Sequence, residues 1–267
     1  MPTERIAACV EYDGTAYNGW QRQPHAPSVQ ARVESALSRV ADHPVAVVCG
    51  GRTDAGVHAL GQVVHFDSQA RRPDHAWVFG ANSNLPSDIS LRWARPVPPD
   101  FHARYTAVAR EYRYLILDHP ARSALLGRRA AHSRHRLDAA AMHEAAQALL
   151  GERDFSAFRA AGCQSNTPMR RVERVRVRRS GDLVIMDIRA NAFVHHMVRN
   201  IAGSLMVVGR GLQPSAWIAE LQASRDRRLG GATAPAHGLY FRHIEYPPAY
   251  DLPEDTAPPA GAPAVIE

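Results

Sequence analysis

Apolar residues recur along this chain at two alternating spacings, and the alternation runs through nearly the same order twice. Short segments rich in β-branched and aromatic residues, typical of strands, alternate with segments whose apolar residues follow the period of a helix. Within residues 1–105 this pattern predicts strands at 5–12, 45–49, 61–66 and 88–95, and helices at 29–40 and 74–82. Ser28 is the expected N-cap of the first helix. This half therefore has the β-α-β-β-α-β order of a ferredoxin-like fold.

Residues 106–247 repeat the plan, with strands predicted at 109–117, 171–179, 182–190 and 238–246, and helices at 137–150, at 195–208 and just after Pro214. We predict an α+β protein of two ferredoxin-like halves. Their sheets would join edge to edge into one continuous, mostly antiparallel sheet with the helices on one side. A central cleft between the halves is the natural place for an active site. The segment 248–267 is rich in Pro and Ala and is predicted to be disordered.

The charge balance favours a nucleic-acid partner. The chain has 32 basic and 26 acidic residues, which gives a net charge of +6, and every basic residue is Arg. Genomic base composition accounts for Arg in place of Lys, but the excess of positive charge favours contacts with phosphates. No apolar run approaches the roughly 20 residues of a membrane span, and the N-terminus lacks a signal-peptide pattern. We therefore expect a cytoplasmic protein with no membrane partner.

The spacing of cysteine and histidine gives no support to a metal centre. The three cysteines lie far apart, which argues against a disulfide framework and leaves no CxxC pair. None of the closely spaced histidines falls in a Cys/His array or an HExxH arrangement. These histidines are His132, His135, His195 and His196. We expect no metal and no cofactor.

The segment GGRTDAGVHA, residues 50–59, is the strongest candidate for a reactive site. It lies between two predicted strands, and its three glycines permit a sharp turn or a close approach to a ligand. Arg52 and Asp54 are two residues apart, so an extended backbone places both side chains on one face. There the guanidinium keeps the carboxylate ionised and oriented, fit to act as a nucleophile or a base. The segment alone also fits a plain turn, with Asp54 accepting hydrogen bonds from nearby backbone N–H groups.

GRTDAGVHA resembles the catalytic motif of the tRNA pseudouridine synthase A family, and further segments resemble that family in the same order. These segments are YDGTAYNGWQRQ (12–23), GQVVHF (61–66), NLPSDI (84–89), FHARYTAVAREYRY (101–114), DFSAF (154–158), NAFVHHMVRNIAGSL (191–205) and ATAPAHGLY (232–240). The resemblance runs from about residue 5 to residue 247. Many segments in one order are more specific than a single motif.

The resemblance implies a role for five residues. Asp54 would be the catalytic aspartate, which attacks the sugar or the base of the target uridine. Arg52 would help to displace the base from the RNA stack and would pair with Asp54. Tyr112 would pack against the flipped uracil and take part in proton transfer, and Leu239 would form an apolar wall against the base. Arg199, from the second half, would form an ion pair with Asp54. From the residues alone, Tyr112 and Leu239 also fit core positions, and Arg199 also fits an exposed helix face.

The resemblance also implies the substrate and the assembly. The family converts uridines to pseudouridine at tRNA positions 38–40 in the anticodon stem-loop, and works as a homodimer on tRNA. Pseudouridine forms when uracil leaves ribose C1′ through N1 and reattaches through C5, so the reaction needs no redox cofactor. A carboxylate nucleophile divides such a reaction into two easier steps, and base flipping exposes the target.

Three alternatives stay open at this point. An RNA-binding module without catalysis also fits ferredoxin-like sheets, although the clustered sheet aromatics of RNP1 are missing. A metal-dependent hydrolase would use the histidines and an aspartate. A pseudouridine synthase with another RNA target would carry the same catalytic residues. A basic strand face formed by Arg174, Arg176 and Arg178 fits either phosphate contact or plain solvation.

Overall fold

The computed structural model describes residues 3–253 and shows a mixed α+β fold with two compact units. Unit 1 contains the described residues up to Val108 and from Phe241 onward, and unit 2 is Ala109–Tyr240. The described part has ten strands and five helices, and the strands pair mostly in antiparallel fashion, so the predicted fold class is confirmed. The predicted tail falls largely on residues 254–267, which lie outside the described residues.

The division into units differs in two respects from the predicted halves of 1–105 and 106–247. The first unit ends at Val108, three residues beyond the predicted boundary. The chain then returns to unit 1 at Phe241, inside the last strand. The local sequence pattern marks where a strand lies, but it does not reveal which unit the strand completes.

Unit 1 is built on the predicted ferredoxin-like order. Its elements are β1 (Glu4–Tyr12), α1 (Val29–Ala41), β2 (Val48–Cys49), β3 (His58–Ser68), α2 (Asp74–Asn82) and β4 (Ile89–Pro96). Strand β1 lies between β3 and β4, β2 lies on the other side of β3, and all these pairs are antiparallel. The central strand is buried on both faces, because consecutive residues from Ile6 to Val10 have almost no exposed surface. Trp77 of α2 packs edge-on against Phe66 of β3, with ring centroids 5.2 Å apart.

Unit 2 has a similar plan with short additional strands. Its elements are β5 (Ala109–Asp118), β6 (Ala131–Ser133), α3 (Ala139–Ala146), β7 (Gly151–Asp154), β8 (Met169–Ser180), β9 (Leu183–Ala190), α4 (Met197–Gly209) and α5 (Trp217–Ser224). The strands β5, β9, β8 and β7 follow one another in antiparallel order, and β6 pairs with β5 in parallel. The last strand, β10 (Leu239–Glu245), begins in unit 2. None of the described helices combines the length and the apolarity that a membrane span requires.

Candidate active site

The loop between β2 and β3 carries the predicted reactive carboxylate, and its entrance is fixed by the strands themselves. The backbone N–H of Gly50 donates to the carbonyl of Val63 at 2.8 Å, which extends the β2–β3 pairing by one residue. The side chain of Gln62 then forms hydrogen bonds with both the N–H and the carbonyl of Gly51. Its amide oxygen accepts from the N–H of Gly51 at 3.2 Å, and its amide nitrogen donates to the carbonyl of Gly51. These bonds fix the direction in which the backbone leaves β2 and enters the loop.

The residue before Asp54 is anchored to the N-terminal segment of unit 1. Thr53 is buried, and its hydroxyl oxygen lies 2.8 Å from the hydroxyl oxygen of Tyr12 at the end of β1. The carbonyl of Thr53 accepts from the backbone N–H of Trp20 at 3.0 Å. Because one side chain and one carbonyl are both held, the backbone that leads into Asp54 has little freedom to move.

The residues after Asp54 are held by a tight turn. The N–H of Val57 donates to the carbonyl of Asp54 at 3.2 Å, and the N–H of Gly56 donates to the carbonyl of Tyr17 at 3.3 Å. Gly56 has a φ of 77°, in the region that favours glycine. Asp54 therefore lies between two anchored stretches of backbone.

Two glycines of the YDGTAYNGWQRQ segment allow the chain to pass close to this loop. A Cβ on Gly14 would overlap the carbonyl oxygen of Val57 and lie 2.7 Å from its carbonyl carbon. A Cβ on Gly19, whose φ is +92°, would lie 2.6 Å from the carbonyl oxygen of Thr53. Any other residue at either position would push against backbone atoms, which rotation of a side chain does not relieve.

A buried histidine at the start of β3 and an aspartate after β1 join the N-terminal segment to the end of the loop. Nδ1 of His58, the first residue of β3, lies 3.1 Å from Oδ1 of Asp13 and 3.1 Å from the backbone N of Gly14. Hydrogen bonding from His58 holds the pKa of the Asp13 carboxyl well below its usual range, although partial burial opposes this effect. Asp13 also accepts from the N–H of Thr15 at 3.0 Å and so caps a short 3-10 turn.

The two candidate side chains of the loop differ in exposure. Asp54 is half-buried and Arg52 is exposed, whereas Thr53 between them points into the core. This alternation places Arg52 and Asp54 away from the core, as predicted for two residues in an extended segment. Arg52 forms no ion pair with Asp54 among the described residues. Their pairing stays a prediction.

The other three predicted site residues lie in unit 2. Tyr112 is half-buried on β5, opposite Ile188 of β9. Its ring packs edge-on against Phe193, with centroids 5.0 Å apart and an interplanar angle of 81°. An edge-on neighbour of this kind fixes the ring plane of a tyrosine.

Arg199 lies in the first turn of α4, and its direction is set by the ATAPAHGLY segment. Its Nε donates to the carbonyl of Ala234 at 2.8 Å, while the N–H of Ala234 donates to the carbonyl of Arg199 at 3.1 Å. The next residue, Asn200, has an amide oxygen that accepts from the hydroxyl of Thr233 at 2.7 Å and from Arg227 at 3.0 Å. These bonds hold the ATAPAHGLY segment against α4 and keep the guanidinium of Arg199 beside the carbonyl of Ala234.

Leu239 follows directly from this segment. It is 6% exposed at the start of β10, and Gly238 before it packs closely against the carbonyl of Leu115 and the ring of Tyr114. The hydroxyl of Tyr114 donates to the carbonyl of Pro235 at 2.7 Å. Within unit 2, the same short segment therefore positions both Arg199 and Leu239. The predicted pairing of Arg199 with Asp54 stays a prediction.

The basic strand face of unit 2 is partly neutralised by acidic residues of the same sheet. Arg174 lies 2.9 Å from Glu111 of β5. Arg176 is exposed and lies opposite Asp187 of β9 in the strand register. No ion pair of Arg176 or Arg178 occurs within the described part of the chain. These two residues retain the charge that a phosphate contact would require.

Sequence reasoning assigned no structural role to several residues that hold the loop. They are Tyr12, Asp13, Gly14, Gly19 and His58. The signal that pointed to them was the resemblance of YDGTAYNGWQRQ to a family motif. The partners of these contacts are more than 30 residues apart along the chain, so no local pattern discloses them.

The fold and the loop define a class of protein: a mixed α+β protein that presents an aspartate on a glycine-fixed loop of a ferredoxin-like unit. Residues 8–106 and 145–247 match the sequence profile of a family described as tRNA pseudouridine synthase. This match covers more than half of the chain, which therefore belongs to the tRNA pseudouridine synthase family. The membership predicted from the motifs is confirmed.

Several curated relatives resemble the chain over nearly its whole length. Proteins of Escherichia coli and Shigella flexneri are each 56% identical to it over 261 residues, which cover 98% of this chain and 96% of theirs. A protein of Aeromonas hydrophila is 57% identical over 250 residues, which cover 94% of this chain and 93% of its own. All three are named tRNA pseudouridine synthase A.

Proposed function

We propose that this protein isomerises uridine to pseudouridine in the anticodon stem-loop of tRNA, at positions 38–40, with Asp54 as its nucleophile. The observation that carries the proposal is the similarity over nearly the full chain, at 56% and 57% identity, to proteins named tRNA pseudouridine synthase A. The Asp54 loop adds physical support, because the backbone on both sides of the carboxylate is anchored. A group held in this way loses little entropy when it meets its substrate.

The proposed reaction is an isomerisation in which no atom of the nucleotide is lost except an exchangeable proton. The carboxylate of Asp54 forms a covalent intermediate with the flipped nucleoside while the bond from C1′ to N1 breaks. The uracil turns and reattaches to C1′ through C5, and the bond between Asp54 and the nucleoside breaks, which regenerates the free carboxylate. The hydrogen at C5 leaves as a proton, and N1 takes up a proton. No oxidant or reductant is consumed, so we propose a reaction without metal or cofactor.

The other four residues support the flipped nucleotide in this proposal. Arg52 is exposed two residues before Asp54 and helps to displace the base from the RNA stack. Tyr112 and Leu239 supply an aromatic face and an apolar wall for the uracil. Arg199 orients the carboxylate. Its guanidinium is itself held by a hydrogen bond from Nε to the carbonyl of Ala234.

The purified protein is expected to release tritium from tRNA transcripts that carry uridine labelled at C5, with EDTA present. Release follows because the labelled hydrogen leaves C5 as a proton when C5 forms its bond to C1′. Chemical mapping of the product is expected to find pseudouridine at positions 38–40. Transcripts with cytidine at these three positions serve as the matched control and are expected to release nothing.

Each of the other outcomes would contradict the proposal in a different way. Tight tRNA binding without release would indicate an RNA-binding module. Loss of activity with EDTA, together with strand cleavage, would indicate a metal-dependent hydrolase. Pseudouridine outside positions 38–40 would indicate another RNA target.

We further propose that the enzyme is a homodimer, as the family resemblance implies, and that it acts on tRNA in the cytoplasm, as expected from the sequence pattern. The chain has a mass of 29.3 kDa, so light scattering on the purified protein is expected to give twice that value. A monomer at assay concentration would contradict the dimer, and recovery with the membrane fraction of cells would contradict the location.

A further inference from the structure

One exposed aromatic ring of unit 1 lies outside the loop that carries Asp54. Tyr105 follows β4 in the FHARYTAVAREYRY segment and is 76% exposed, in contrast to the buried aromatic residues of the core. Its ring stacks on the imidazole of His102, with centroids 4.3 Å apart and an interplanar angle of 29°. The guanidinium carbon of Arg104 lies 5.6 Å from the centre of the Tyr105 ring. The turn thus combines an open aromatic face with a cation.

The turn that presents this ring is fixed by two imidazoles. Nδ1 of His102 accepts from the backbone N–H groups of Arg104 and Tyr105, both at 3.2 Å. Nδ1 of His65 in β3 accepts from the N–H of Ala103 at 3.1 Å. Three successive N–H groups are therefore satisfied by ring nitrogens, and the plane of the His102 ring is set by the same backbone that carries Tyr105.

The two ends of the turn are anchored as well. The hydroxyl of Thr106 donates to the carbonyl of His102 at 2.7 Å, and the hydroxyl of Tyr246 donates to the carbonyl of Ala103 at 2.7 Å. Phe101, just before the turn, is fully buried. Burial lowers the pKa of His65 to about 4, with further lowering by the charges of Arg5 and His102, so its ring stays a neutral acceptor near pH 7.

A rigid, exposed aromatic ring beside an arginine has the chemistry that single-stranded RNA recognition uses. Unpaired bases stack on aromatic side chains, and a nearby cation favours the flanking phosphate. The other strongly exposed aromatic residue described in unit 1, Phe79 on α2, is 69% exposed, but its ring is tilted by 54° against its neighbour His75 at 6.4 Å. The backbone of the turn fixes the His102 ring on which Tyr105 stacks, an arrangement that Phe79 lacks and that suits a binding platform.

We propose that Tyr105, stacked on His102 and flanked by Arg104, is a platform on which an unpaired nucleobase of the RNA substrate stacks, other than the target uridine. The inference rests on the proposed function, because it requires an RNA substrate. Tyr105 is a binding residue in this account, and the chemical step belongs to the Asp54 loop.

Replacement of Tyr105 with alanine is expected to weaken binding of the tRNA transcript by roughly 5- to 100-fold, the range found when a base loses an aromatic partner. Tyr105→Phe keeps the stack and is expected to bind like the wild type. Tyr105→Leu keeps an apolar side chain without a π face and is expected to resemble the alanine variant. KM for tritium release should rise in the alanine and leucine variants, while kcat at saturating tRNA should stay unchanged.

Three controls keep the outcome specific. Phe79→Ala removes a comparably exposed ring from the same unit and is expected to change neither binding nor KM. Melting temperatures and light scattering of the Tyr105 variants test that folding and oligomeric state are intact. Absence of tritium release by the wild type would contradict the proposed function itself, apart from any result on Tyr105.

The inference is overturned if the wild type is active and Tyr105→Ala binds tRNA as tightly as the wild type. It is also overturned if Tyr105→Leu binds like the wild type, because an apolar side chain without an aromatic face would then be enough for binding. A shift in oligomeric state that accounts for the loss of binding would assign Tyr105 to a protein interface and would equally overturn it.

Discussion

Asp54→Asn is expected to release tritium from labelled tRNA at least about a thousandfold more slowly than the wild type, as when an essential nucleophile is removed. The amide has nearly the shape of the carboxylate, but it lacks the anionic oxygen that forms the covalent intermediate. The hydrogen bond of the Thr53 side chain and the backbone bond between Asp54 and Val57 do not use the Asp54 carboxylate, so these bonds survive the change. Single-turnover assays with excess enzyme measure the chemical step directly.

Two further variants test whether the effect belongs to this carboxylate. Asp42→Asn makes the same chemical change at an exposed residue after α1, with a φ of 57° that asparagine also tolerates. It is expected to keep full activity. Asp54→Glu keeps the charge but displaces it by one methylene, and a misplacement of this size costs roughly a hundredfold. If Asp54→Asn retained more than about a tenth of the rate, another group would have to be the nucleophile.

The helices and long strands were predictable because their signals are local. Helix α2 begins and ends at the predicted residues, Asp74–Asn82, and Ser28 caps α1 through a hydrogen bond from the N–H of Ala31. The interior of α3 was also predicted, but the helix is shorter than 137–150. Asp138 caps its start, and its last turn tightens into a 3-10 helix at Gln147–Leu149. A periodic pattern predicts burial more reliably than it predicts the ends of an element.

The short strands were less predictable because pairing is not a local property. The apolar run 45–49 predicted a strand of five residues, but only Val48–Cys49 pairs with β3, although Val45 and Val47 are buried. The strands β6 and β7 were not predicted. Both are short, β7 consists of polar residues after one glycine, and each is defined only by a partner far along the chain.

The candidate site also has a part with a local sequence signal and a part that depends on distant segments. Asp54 and Arg52 were proposed as candidates from GRTDAGVHA, because this composition between two strands is unusual. The framework of the site could not be predicted from local patterns, since the contact of Tyr12 with Thr53 and that of Gly14 with Val57 join distant segments. The sequence thus predicts which group reacts, whereas the structure shows what holds the backbone on both sides of that group.

Gly14→Ala is expected to lower both the stability of the protein and the rate of tritium release. The added Cβ would overlap the carbonyl oxygen of Val57, and because the clash is with backbone, either the loop or the 3-10 turn at Gly14–Ala16 must move. Overpacking of this kind costs about 3 kcal/mol of unfolding free energy, and the melting temperature should fall by roughly 5–10 °C. The rate should fall by about a hundredfold at a temperature where the variant is folded, because Asp54 lies three residues before Val57.

Gly162→Ala is the matched control for this substitution. Nothing lies within 4 Å of a Cβ at Gly162, and its backbone does not require glycine. It is expected to melt and to react like the wild type. A Gly14→Ala protein that melts early but reacts at the wild-type rate when folded would show that the turn stabilises unit 1 without positioning Asp54. A variant with unchanged melting temperature and unchanged rate would show that the turn and the loop do not constrain each other. Because the clash joins the N-terminal turn to the loop of Asp54, only a loss of both stability and rate agrees with the anchoring that the structure shows.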